Sequence, residues 1–153
     1  MTPIKGLKGR CLISCMAMLL DTTPQDLIEE LGEDGLDIWW PTSLNPEKDW
    51  LCRRGHHIQE LAILAETRGK ALVDMSPLPA LANPRDLGST RPIWSDSKAR
   101  ENFYHYLKKY PALLLSGTHA YASDTTHVYD PDTLTKVPIE DFASPVRGMW
   151  VLM

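Results

Sequence analysis

An α+β fold with an antiparallel sheet is the architecture this sequence predicts, and two observations predict it. Apolar residues recur at helical spacing through the first half of the chain, and strand-like runs crowd into residues 112–152. Helices first and strands after is the order of an α+β domain, with the helices packed on the sheet. At 153 residues the chain has the length of one domain, and 43% hydrophobic with 24% charged residues is ordinary globular composition. Wholesale disorder and fibrous repeats are thereby excluded. A single domain over 1–153 is expected: a helical part at about 1–70, a loop-rich insertion at about 76–97, and a helix plus antiparallel sheet at about 98–153.

Each element has a local reason. Residues 11–20 (Cys-Leu-Ile-Ser-Cys-Met-Ala-Met-Leu-Leu) are apolar nearly all round, as suits a helix in the middle of a core. Thr23-Pro24 supplies an N-cap and a proline at the first helical position, Asp26 stands three residues after the cap, and Gly32 follows the end, so 24–31 reads as a short helix. Asn45-Pro46 opens another, running to Gly55. Ile58, Leu61, Ala62 and Ala65 share a helical face that Gly69 closes. Residues 71–73 form a short strand. Pro77, Pro79, Pro84 and Pro92 leave 76–97 as a long surface loop. Phe103, Tyr106, Leu107 and Tyr110 make 98–110 an amphipathic helix. Strands are expected at 112–116, 119–123, 126–130 and 147–152, with a helical turn at 138–142.

Charge and cysteine usage narrow the function classes. The net charge of -4 disfavours a partner held by phosphate neutralisation, so no nucleic acid is expected. No segment approaches the ~20 apolar residues of a membrane span. Three cysteines, Cys11, Cys15 and Cys52, are too few and too odd in number for a disulfide scaffold, which points to a reducing, cytoplasmic setting. Lys5, Lys8 and Arg10 before an apolar run resemble an export signal, and Leu12-Ile13-Ser14-Cys15 a lipoprotein box. The run is short, however, lies largely after Cys15 rather than before it, and ends in Asp21-Thr22-Thr23-Pro24 instead of small residues.

One constellation carries chemistry. If Asp124-Thr125 is a two-residue hairpin turn, Ser123 pairs with Thr126, Tyr121 faces Val128 and His119 faces Asp130. Opposed residues share a sheet face, so an imidazole sits beside a carboxylate that can fix its tautomer. Cys11 stands at the start of the buried helix, where the helix terminus favours a thiolate and lowers the thiol pKa. Cys15, one turn deeper, is expected to be structural. Cys11 as nucleophile, His119 as base and Asp130 as orienting group make a thiol-hydrolase triad.

These residues also carry a resemblance. Arg10-Cys11-Leu12-Ile13-Ser14-Cys15-Met16-Ala17-Met18-Leu19-Leu20 resembles the Asp-Cys-Gly-x-Ala-Cys-x-Ala-Met block of papain-like peptidases that process double-glycine leaders. It is closer still to the Asn-Cys-Leu-x-Ala-Cys-x-Ala-x-Leu-Leu start of small bacterial and phage relatives. His119-Ala120 through Val128-Tyr129-Asp130-Pro131 resembles their His-Ala-Val-Val … Val-Tyr-Asp-Pro hairpin, and Trp50-Leu51-Cys52-Arg53-Arg54-Gly55 their Trp-Leu-x-x-x-Gly segment. The resemblance touches both ends of the chain and leaves 70–111 largely outside. It implies a papain-like fold, with a helical half carrying the cysteine packed on an antiparallel sheet carrying histidine and aspartate. It also implies acyl transfer on an amide, isopeptide or thioester bond of a protein or peptide substrate, with no cofactor and no metal. A phage origin would place the protein in the host cytoplasm.

There are departures. Lys5 stands where the peptidases have an oxyanion-hole glutamine, Leu12 replaces a glycine and Arg10 an aspartate. A lost oxyanion donor costs about 100–1000-fold in rate, and Lys5 is the candidate replacement. The alternative is therefore a catalytically degenerate binding module on the same fold, such as a phage protein that captures a host factor. A third option is a zinc-stabilised interaction domain using Cys11, Cys15, His119 and His127, although these spacings are not a standard finger. His127 is otherwise expected to be exposed, His56-His57 to start a helix, Cys52 to be an ordinary helix residue, and Trp39-Trp40 to anchor the core or a lid.

Overall fold

A computed structural model describes residues 1–6, 10–32, 35, 56–75, 97–116, 119–144 and 146–153. The expected helix from Asn45 to Gly55, most of the 76–97 loop, Trp39-Trp40 and Cys52 lie outside the described residues.

The architecture is α+β. Helices α1 (Cys11–Leu20), α2 (Pro24–Leu31) and α3 (Ile58–Glu66) precede strand β1 (Leu72–Asp74) and helix α4 (Ser97–Leu107). Strands β2 (Ala112–Ser116), β3 (His119–Ser123), β4 (His127–Tyr129), β5 (Lys136–Pro138) and β6 (Gly148–Leu152) follow, with a 3-10 turn at Ile139–Asp141. All pairings are antiparallel, in the order β1-β6-β2-β3-β4-β5.

Sequence explains why α1 lies at the centre. Ile13 through Leu19 are all buried, because an apolar helix has no face to give to water. It packs along β3 and against α2 and α3. The strand meets it with Ala120 and Ala122, both fully buried, so the helix comes close to the sheet. Ser14, the buried polar residue in the run, satisfies its hydroxyl by donating to the Arg10 carbonyl at 3.0 Å. The α2 start is the capping box its sequence announces: Asp26 N–H donates to Thr23 Oγ1, and Thr23 N–H to Asp26 Oδ2.

The sheet is buried on both faces, which extends the expected packing of a helical half on one side. Leu113, Ala120, Ala122, Tyr129 and Leu152 join the core beneath α1, α2 and α3. Ala112, Leu114, Val128, Met149 and Val151 join a second core with Phe103 and Leu107 of α4 and with Ile139 and Phe142. The cause is in the strands, whose apolar runs barely alternate at 112–115 and 149–152, so both faces need cover. Strand β5 is unannounced in the sequence: a three-residue edge strand ending in Pro138 is too short to show alternation.

The β3–β4 register differs from the expected one. Ser123 pairs with Val128 and Ala122 with Tyr129, not Ser123 with Thr126 and Tyr121 with Val128. The turn residues are Thr125-Thr126 because Asp124 controls both flanks. Its N–H donates to the His127 carbonyl at 3.1 Å, and its Oδ1 accepts from the N–H groups of Thr126 and His127 at 3.0 and 2.9 Å. Thr125 takes φ of 80° to make the turn. The pairing shifts by two positions in total, an even number, so His119 and Asp130 keep a common face as diagonal rather than opposed neighbours.

Candidate active site

His119 opens β3 opposite Ser116, the last residue of β2. Its ring meets Tyr121 edge-on at 4.7 Å between centroids, and Tyr121 meets Phe142 in the same manner at 5.1 Å. The imidazole is thus propped on a rigid aromatic row. Its Nε2 lies 3.0 Å from Asp130 Oδ1, and its Nδ1 lies 3.6 Å from Asp132 Oδ2. The first distance is a hydrogen bond and the second is too long for one. Nε2–H donating to Asp130 selects the tautomer in which Nδ1 carries the lone pair.

The Asp130-Pro131-Asp132 corner is fixed by backbone bonds. Asp130 N–H donates to the Thr135 carbonyl at 3.0 Å, and Asp132 N–H donates to Asp130 Oδ1 at 2.9 Å. Gly6 N–H donates to the Pro131 carbonyl at 2.6 Å. A Cβ on Gly6 would sit 3.1 Å from Asp132 Oδ1 and from two Pro131 atoms, so a larger residue here would have to push the corner back by a few tenths of an ångström.

Cys11 arrives from the opposite layer. It is the first residue of α1, half-buried, and its thiol lies at the backbone N–H of Ala120, the neighbour of His119. The expected lowering of its pKa is not what the environment produces. Burial raises it; the Ala120 N–H pulls it down, the Asp132 charge pushes it up again, and the N–H groups of Leu12 and Cys11 itself pull it down, with a net rise. At this helix start, desolvation outweighs the terminal N–H groups. Burial pushes the Cys15 thiol higher still, and Cys15 is a fully buried core residue.

The structure therefore puts His119 and Asp130 in direct contact and sets the Cys11 thiol one residue away. Lys5 is exposed, next to the Gly6 that clasps the corner. The four residues of the expected zinc alternative are not gathered. Cys15 is in the core, and His127 sits by the hairpin turn with Nδ1 3.0 Å from Thr126 Oγ1. His56 is buried and His57 caps α3, its N–H donating to Glu60 Oε2 at 2.6 Å.

Asp132 is the site residue that sequence reasoning left as turn chemistry. Its signal is the Asp-Pro-Asp spacing, since an aspartate that accepts the N–H two residues on brings the second carboxylate back beside the first.

Comparison of this chain with known protein families, with curated proteins and with solved structures finds no match. Among the described residues no helix is long and apolar enough to cross a membrane.

Proposed function

We propose that this protein is a small papain-like thiol hydrolase acting on an amide, isopeptide or thioester bond of a protein or peptide, in the cytoplasm of a bacterium or of a phage-infected host. The observation that carries this reading is the tautomer-fixing Nε2 contact of His119 with Asp130, on the residue adjoining the backbone N–H that meets the Cys11 thiol.

Cys11 Sγ attacks the substrate carbonyl as its proton passes to His119 Nδ1. With the thiol pKa raised, the proton leaves during attack, which makes His119 a general base. The oxyanion forms at the start of α1, where the first N–H groups of a helix have no intrahelical acceptor, with Lys5 as the candidate side-chain donor. His119 returns the proton to the leaving group, and the acyl chain stays on sulfur as a thioester. Water then attacks it, with Nδ1 taking the water proton and giving it back to Cys11.

The test is alkylation of Cys11 by iodoacetamide across pH, in a Cys15→Ala, Cys52→Ala background. At neutral pH, His119→Ala is expected to slow it by about 100-fold. A profile indifferent to His119 overturns the hydrolase reading. The second reading, a degenerate binding module on the same fold, is favoured by the raised thiol pKa and the exposed Lys5, and that indifferent profile is the result it requires.

A further inference from the structure

We propose that His119, Asp130 and Asp132 form a binding site for one divalent transition-metal cation of the zinc class. One imidazole nitrogen and one oxygen from each carboxylate lie within 4.8 Å of one another. Zinc takes such donors at about 2.0–2.2 Å, so the donors must close in by about an ångström. The side chain able to supply that movement is Asp132, 58% exposed, whereas His119 and Asp130 are 24% and 20% exposed and already in contact.

Charge points the same way as geometry. Among the described residues, both carboxylates lie against the same His119 ring, Asp130 at Nε2 and Asp132 near Nδ1. Two negative groups thus share one neighbouring side chain, and backbone bonds to Thr135 and Gly6 hold their corner in place. A bound cation relieves that repulsion. The donor set selects its class: an imidazole disfavours magnesium and calcium, while two carboxylates without a committed thiolate suit zinc, cobalt or manganese. Three protein donors leave a position for water.

The consequence for the thiol rests on the hydrolase reading. A cation between Nε2 and Asp130 takes the place of the Nε2 proton and leaves the neutral ring protonated at Nδ1, the atom that would receive the Cys11 proton, so the loaded protein is a resting form. Asp132 is then a metal ligand and not part of the acyl-transfer machinery.

Cobalt(II) titration of the full chain, followed by visible d–d absorption, tests the site. One cobalt per chain, displaced by zinc, is expected, with affinity falling at least 10-fold in Asp132→Asn and in Asp130→Asn. No d–d band, or unchanged affinity in both variants, overturns the proposal. So does an intense sulfur-to-cobalt absorption that Cys11→Ala removes and Asp132→Asn leaves, because the ion would then sit on thiols. In the alkylation assay, zinc should bring the wild type down to the His119→Ala rate and leave Asp132→Asn unaffected. A cobalt-binding protein whose alkylation zinc does not change overturns the resting form. If alkylation never depends on His119, the hydrolase reading fails while the cobalt titration still decides the site.

Discussion

The two ends of the β3–β4 hairpin each hold an aspartate, and they use it in opposite ways. At the turn, Asp124 is enclosed by donors: Tyr129 Oη at 2.6 Å, Thr126 Oγ1 at 2.7 Å, and the N–H groups of His127 and Thr126. Burial alone would raise its carboxyl, but these bonds outweigh it and hold the group well below the usual carboxylate range. At the open end, Asp130 accepts from its own corner and from His119, with a second carboxylate close by. A saturated aspartate shapes the chain. One that bonds an imidazole beside a second carboxylate is placed for chemistry. The difference lies in the hydrogen-bond donors: those on Asp124 are backbone and hydroxyl groups that keep their protons near neutrality, with the Met1 ammonium 3.7 Å away as an ionic partner, whereas Asp130 bonds an imidazole, which can give its proton up.

Perturbing each end should separate the two roles. The largest effect belongs to the open end: on the proposed hydrolase reading, Cys11→Ala should abolish acyl transfer and His119→Ala should lower it by about 100-fold or more, with little change in melting temperature. Asp130→Asn should slow Cys11 alkylation by about 10-fold or more, the scale of lost orienting partners, and again spare stability. Asp124→Asn should do the reverse, costing about 2–3 kcal/mol in denaturant unfolding through its lost charge-assisted bonds and leaving alkylation unchanged. Because the Asp124 carboxyl is depressed in the fold, this contribution is fully present above about pH 4, its unfolded value, and fades as pH falls below it. Tyr129 titrates with the opposite sign. Burial, the bond to Asp124 and its charge push the phenol up to about 12. Its contribution is therefore present below about pH 10 and lost as pH rises toward the folded value. Tyr129→Phe should cost about 1 kcal/mol at neutral pH and remove that alkaline loss. The smallest effect is a gain: Thr125→Gly relieves a positive φ and should stabilise by about 0.5–1 kcal/mol. A Thr125→Gly protein with altered alkylation would show that the two ends are not independent.

Most of the fold was legible because its elements carry local signals. The apolar run at 11–20 and the Thr23–Asp26 cap define α1 and α2 to the residue. The order of helices and strands gives the class. The hairpin register was not legible, since choosing between Asp124-Thr125 and Thr125-Thr126 depends on which N–H groups the Asp124 carboxylate reaches. Facing survived because the shift was even. The pairing of His119 with Asp130 could therefore be read from residue spacing. The thiol's electrostatics could not, because desolvation at Cys11 depends on how α1 is seated against β3. Asp132 was hidden for a similar reason: in sequence it is one more turn residue, and only the fold turns it onto the imidazole.

The row of rings from His119 through Tyr121 to Phe142 ties the imidazole to the layer beneath α4, while the thiol rides on α1 in the layer across the sheet. The gap between sulfur and nitrogen is accordingly a gauge of how two separately packed slabs are seated on one strand. Close-packed interiors pass small displacements along instead of absorbing them. A methylene added at Ala122 or side-chain bulk removed at Phe142 should retune that gap from opposite sides.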